Sequence, residues 1–480
     1  MSKIFLYLMI ILLYINYLYC IVVLPIDTLP RENYKLLYNI NSPKDIMDEE
    51  NRKIFFTTFE IGDPVQKVPL LIKPKTDYYL ITSVFPVKNA AVNDNFKNFN
   101  FSDNFFTEYD FYNENKSNSY ILNWCRESEY YEAEEYCSAN DTILIYEDIN
   151  MKNKNLKNIN FALMRNVVDN ITGEIGLNLY DEVGRFYNTF LGILKANNLI
   201  KDYNWYFDFN SNKDEKGKLI IGSLPHEDYP NLYSEDEILF TKSSQLNRHT
   251  YMEMTFDYVY IINDKEKIYF SEKAELRYDT NIFVGDRKYE KYLLNQIDYL
   301  LKENKCFNDS IRDFDYYYNF TFYYCLNEKE IKDKIYKIIT PIYFCSNDFN
   351  NTFEIKNNDI IFEKGNYIYI GMIFYDIISK WSLGKIFTLK HKFVFNQDNK
   401  VIGFYKKLEK GKNPKKNSKD YKLLIIIIIV IVLSIILVTI GIIIGKLLYK
   451  ARKKRANELC DIYDYSSKED RENECTLTFY

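Results

Sequence analysis

The sequence predicts a mainly β protein. From about residue 53 to 405 it is a succession of short runs rich in β-branched and aromatic residues, among them KIFFTTFEI, VPLLI, DTILIYEDI, YNWYFDF, KLIIGS, YVYIIND, YIYIGMIF, FTLKHKFVF and VIGFY, bounded by Asn, Asp, Gly and Pro. Only two stretches carry a helical pattern, 182–199 and 287–304. Many short strands with few helices point to barrels or sandwiches. The chain of 480 residues is long enough for a large two-lobed core.

The elements follow in order. Residues 4–19 (IFLYLMIILLYINYLY) form a short apolar run behind Lys3, so 1–20 reads as a signal peptide, with an uncleaved anchor as the alternative. Residues 21–52 are polar, carry Pro25, Pro30 and Pro43, and read as a leader or linker. The β-rich body follows. Residues 406–422 form a basic stalk. Residues 423–445 contain no charge, and at 1.5 Å per residue they match a bilayer core of about 30 Å. Residues 446–480 are then a cytoplasmic tail, opened by Lys446, Lys450, Arg452, Lys453, Lys454 and Arg455. The stalk is equally basic, so the signal peptide sets the orientation: a single-pass type I membrane protein. The tail carries Tyr463, Tyr465 and Tyr480 and offers sites for a cytoplasmic partner. It lacks a KDEL-type signal, which favours the cell surface or a secretory organelle over the endoplasmic reticulum.

Composition narrows the function. A net charge of -5 and a pI of about 5.6 argue against a nucleic-acid partner. The 45 Tyr and 34 Phe read as codon bias rather than as a sugar or aromatic-ligand site. His226, His249 and His391 have no metal-ligand spacing, so neither a metal nor a cofactor is expected. In an oxidising lumen Cys125–Cys137 and Cys306–Cys325 are the natural local disulfides. Cys345 is left over, either free or the true partner of one of these, while Cys460 and Cys475 lie in the tail. Asn115, Asn140, Asn170, Asn308 and Asn319 open glycosylation sequons.

Three stretches carry a family pattern. In 61–83, Ile61, Gly62, Pro64, Gln66 and Ser83 fit Ile-Gly-x-Pro-x-Gln, an apolar strand, Asp-Thr-Gly-Ser and a second strand, and Lys73-Pro74-Lys75-Thr76 fills the Asp-Thr-Gly-Ser place. In 274–286, Ala274, Leu276, Thr280, Ile282, Phe283 and Gly285 fit a second such strand and loop, with Arg277 in the aspartate's place; a gapped reading puts Asp279 there instead. In 381–404, Trp381, Leu383, Gly384, Phe387, Val394, Phe395, Ile402, Gly403 and Phe404 fit a late Trp-x-Leu-Gly-Asp-x-Phe strand pair. ITGEIGL (171–177) and GKLIIGSLPHEDY (217–229) are weaker matches between them. The chain therefore resembles the pepsin-type, plasmepsin-like aspartic proteases over about 350 residues, in the order of that family's motifs. The resemblance implies a bilobal pepsin-like fold, with lobes 53–240 and 241–405 and a long cleft between them. It implies a deep two-fold repeat, and a flap whose tyrosine is Tyr136.

The resemblance also implies that the chemistry is lost. An aspartic protease needs two adjacent carboxylates that share one proton and activate water. Lys73 and Arg277 put cations in both places. Lys75 and Asp279 replace glycines that let the loops turn, and Pro74 lacks an N–H. No Asp-Thr-Gly or Gly-x-Ser-x-Gly occurs in the body, and Ser223 near His226 reads as a strand-end turn. The expected function is a catalytically inactive, membrane-anchored protein that binds a protein or peptide ligand in a cleft lined by Lys73, Lys75, Tyr136, Arg277 and Asp279. The alternatives are an adhesin or receptor using its outer surface, and a divergent active endopeptidase.

Overall fold

The computed structural model describes residues 21–28, 42–51, 55–74, 79–82, 112–127, 135–151, 154–165, 173–178, 189–209, 216–235, 238–242, 253–263, 266–278, 280–312, 319–375, 380–406 and 438–457. It is mainly β, in several sheets. Within 1–410 the first ten strands are β1 (Val22–Thr28), β2 (Phe55–Ile61), β3 (Gln66–Lys73), β4 (Tyr79–Thr82), β5 (Ile121–Glu127), β6 (Glu135–Tyr146), β7 (Lys154–Arg165), β8 (Gly173–Gly176), β9 (Asn204–Phe209) and β10 (Gly217–Ile221). The next eight are β11 (Ile238–Lys242), β12 (Glu253–Thr255), β13 (Tyr258–Asn263), β14 (Glu266–Tyr269), β15 (Lys273–Leu276), β16 (Phe283–Gly285), β17 (Cys306–Arg312) and β18 (Asn319–Leu326). The last seven are β19 (Ile342–Ser346), β20 (Asn351–Ile355), β21 (Ile361–Lys364), β22 (Tyr367–Phe374), β23 (Trp381–Leu383), β24 (Lys392–Asn396) and β25 (Val401–Tyr405). Helices in this region are α1 (Pro43–Asn51), α2 (Phe190–Ala196), α3 (Pro225–Asp228), α4 (Arg287–Lys302), α5 (Lys329–Ile338), α6 (Asn357–Ile360) and α7 (Lys385–Lys390).

The strands repeat. One path runs β2-β3-β8-β4-β7-β6-β5 and a second runs β12-β15-β23-β16-β22-β18-β17. Corresponding strands come in the same chain order. Corresponding pairs also share their sense: β3·β8 and β15·β23 are parallel, as are β4·β7 and β16·β22, and the other neighbours are antiparallel. The trios β1-β10-β9 and β11-β25-β24 extend the repeat and join where β9 pairs β24, Trp205 opposite Phe395. The disulfides take equivalent places, Cys125–Cys137 across β5·β6 and Cys306–Cys325 across β17·β18. The four-stranded sheet β14-β13-β19-β20 belongs to the second half and has no counterpart among the described residues of the first.

Alternation makes the core. β2 (FFTTFEI) buries Phe55, Thr57, Phe59 and Ile61 and turns the residues between them outward. Trp205 stacks on Phe395 with centroids 4.1 Å apart, and Tyr278 packs against Phe207 at 4.4 Å, so the two halves share one aromatic centre. A satellite cluster sets Met47 of α1 against Ile282, Val284, Phe322 and Ile373.

The structure corrects the reading of 21–52 as a leader or linker. β1 lies between β10 and β2 with Val22 and Val23 fully buried, and α1 packs on the second repeat. The signal peptide, 1–20, lies outside the described residues. Of the helical stretches, 287–304 is α4 nearly throughout, while 182–199 contains only the shorter α2, its first residues lying outside the described set.

Of residues 411–480 the structure describes one helix, 438–457. It carries exposed Val438, Ile440, Ile442, Ile443 and Ile444 before its basic turn. No helix among the described residues is long and apolar enough to cross a membrane, and 423–437 lie outside them.

Candidate functional site

Lys73 closes β3, where the parallel pairing with β8 sets it opposite Gly176. Its ammonium forms an ion pair with Glu174 of the same strand, a pair that is largely buried on the acid's side, with side-chain exposures of 30% and 12%. Pro74 follows in a buried turn. In the second repeat the parallel register of β15 with β23 ends at Leu276 opposite Leu383, and Arg277 comes next. The Arg277 backbone N–H donates to the Leu383 carbonyl at 2.9 Å, extending that register by one residue towards Gly384. Lys73 and Arg277 thus sit at corresponding strand ends, each facing a glycine of the crossing strand. Gly384 is required there, because a Cβ would collide with the carbonyl of Ile282. Arg277 is half-buried.

The residues around Arg277 are tightly held. Tyr278 is buried, and burial pushes its hydroxyl well above the ordinary phenol range. The Thr280 carbonyl accepts from the Lys385 N–H at 2.8 Å. The Lys385 side chain is 5% exposed and holds its ammonium 4.2 Å from the centroid of Phe55. This buried cation stands where the resembled motif has Asp. The identity of that single residue within the matched Trp-x-Leu-Gly stretch was the sequence signal for it.

Tyr136 lies in β6, its backbone between Arg126 and Met164. The β5·β6 hairpin that carries it is cross-linked by Cys125–Cys137. Behind the bridge, Arg165 pairs with Glu114 at 2.7 Å and donates to the Tyr120 hydroxyl at 3.4 Å. Burial among these charges pushes Tyr120 up to about 12. Lys75 and Asp279 lie outside the described residues, as does His249. The structure thus aligns Lys73 and Arg277 by topology and sets Tyr136 on a separate hairpin.

The other groups weighed in the sequence have structural partners. The Ser223 hydroxyl donates to Asp228 at 2.5 Å, and His226 Nδ1 meets the Tyr405 hydroxyl at 2.6 Å, so neither is turned towards the other as a nucleophile and its base. His391 is half-buried, with its Nε2 out of solvent and its ring packed against Phe353, Phe387 and Phe393; desolvation, helped by Lys390, lowers it to about 4. Cys345 is free and half-buried on β19, 3.4 Å from the Thr352 hydroxyl. Among the described residues no three His, Cys, Asp or Glu side chains are placed to hold a metal. No protein-family model matches the chain and no curated protein matches it, so the reading of this site stands on the geometry above.

Proposed function

We propose that the chain is a catalytically inactive, pepsin-like, type I membrane protein of the secretory pathway that binds an extended protein or peptide segment in a cleft between two β lobes. The observation that carries this reading is the equivalence of Lys73 and Arg277. Lys73 is the last residue of β3, in register with Gly176, and Arg277 is the first residue after β15, where its N–H bond to Leu383 carries the register on towards Gly384. In the resembled family these are the places of the proton-sharing carboxylates. A lysine and an arginine in those places do not supply the carboxylate pair that shares one proton and activates water. The remaining property of such a site is recognition. Backbone edges pair with an extended chain, and an acidic segment would compete with Glu174 for the Lys73 ammonium.

The test uses the full-length protein in detergent and a panel of extended peptides that differ only in acidic content. Acidic peptides should bind more tightly, the preference should fade with added salt, and Lys73→Ala with Arg277→Ala should remove it. Binding that is indifferent to both substitutions would move recognition to the outer surface. A specific feature favours that second reading: Ile121, Leu122 and Trp124 are exposed on β5, which ends its sheet among the described residues.

A further inference from the structure

The sheet β14-β13-β19-β20 turns one apolar aromatic face outward. Tyr258 is 54% exposed, Tyr269 55% and Ile262 44%. The rings form a chain: Tyr258 to Tyr269 at 6.2 Å, Tyr269 to Tyr260 at 5.9 Å, and Tyr260 stacked on Tyr343 at 5.3 Å. The Lys267 ammonium lies 4.4 Å over the Tyr260 ring. The acid beside this row, Glu354, stands opposite Tyr343 in the β19·β20 register and lies 3.9 Å from the Lys356 ammonium. Large amphipathic rings with a lysine lying along them are the side chains that partition to the head-group layer of a bilayer.

The chain's exit point selects the occupant. The last described strand is β25, and the side chain of the next residue, Lys406, donates to the Asn350 carbonyl at 2.9 Å in the turn between β19 and β20. That turn is tied to the start of β13, because Asp257 accepts from the Asn347 backbone and side-chain amides at 2.6 and 2.8 Å. The polypeptide therefore leaves at the end of the sheet that carries Tyr258. By sequence length alone, a random coil of the 17 residues 406–422 would have a root-mean-square end-to-end distance of roughly 23 Å. We propose that this tyrosine face rests on the membrane surface, with the Tyr and Ile side chains at head-group depth and Lys267 reaching the phosphates. The inference rests on the reading of 423–445 as the anchor.

The test reconstitutes the full-length protein in phosphatidylcholine vesicles with and without brominated lipid tails, and in vesicles with added phosphatidylserine. Tryptophan is placed at the face by Tyr269→Trp and elsewhere on the body by Leu232→Trp. Brominated lipid should remove most of the emission added by Tyr269→Trp and leave that added by Leu232→Trp. Ile262→Glu on the Tyr269→Trp background should restore it. Equal quenching of the two tryptophans, or none, in both lipid mixtures overturns the proposal and leaves a protein or glycan as the occupant. Alkaline extraction of the same vesicles separates the two claims. A protein that stays in the bilayer with an unquenched Tyr269→Trp loses only the face; a protein stripped from it loses the anchor.

Discussion

Asp141 is a fully buried carboxylate that accepts hydrogen bonds from Tyr112 at 2.5 Å, Ser117 at 3.1 Å, Ser119 and the Thr142 N–H at 2.7 Å. Burial and this neighbour hold the Tyr112 hydroxyl far above its ordinary range. Asp141→Ala strands those donors and should lower unfolding free energy by about 3 kcal/mol in denaturant titration. His391 gives a pH signature. Folded, it takes a proton only near about 4, against 6.5 for the ordinary group. Its stabilising contribution is therefore complete above about 6.5, erodes as pH falls because the unfolded chain protonates first, and reaches its floor below about 4. Lys390 opposes that protonation and Asp359, paired with Lys390, favours it. His391→Phe should flatten the melting temperature across this window, and an unchanged acid slope would contradict the desolvation of this imidazole. Lys73 and Arg277 were visible in the sequence because their flanking residues fit a pattern. The partner Glu174 was not, because it reaches Lys73 by a parallel pairing between segments about a hundred residues apart, which no local periodicity records.

Local pattern served the helices unevenly. In α4 the buried Tyr289, Leu293, Ile297 and Leu300 recur at helical spacing on one face, so the helix was readable. In α5 (KEIKDKIYKI) the buried Ile331 and Ile335 stand four residues apart with Ile338 next, the same helical spacing in a shorter stretch that the sequence reading passed over. Leu293→Ala should cost about 2–5 kcal/mol, read as a shift in denaturant midpoint. The disulfide pairs were legible from spacing, and each joins directly opposed strand residues. Replacing Cys306 and Cys325 together by Ser reopens a loop of sequence separation 19 and should cost about 3 kcal/mol. The segment 21–52 was misread because three prolines and its polar average masked VVLPIDT, whose burial is set by β10, almost two hundred residues later. Val23→Asp puts an uncompensated charge at that site and should abolish accumulation of folded protein, whereas a linker would tolerate it.

Across residues 22–405 the two repeats meet at β9·β24 and share Trp205, Phe207, Tyr278 and Phe395, so they should unfold together in one transition. The mainly β class and the repeat were legible as turn-bounded short runs and paired motifs. The crossing of β3 by β8 and of β15 by β23 is long-range topology that the motifs only outlined. That crossing aligns Lys73 with Arg277, and the account of the molecule turns on the consequence for chemistry. The direct measurement is peptide-bond hydrolysis by the purified full-length protein, from acid to neutral pH, with and without an aspartic-protease inhibitor of the pepstatin type. The account predicts no cleavage above that of a Lys73→Ala, Arg277→Ala double variant at any pH. Cleavage by the native protein that the inhibitor abolishes and the double variant lacks would contradict it.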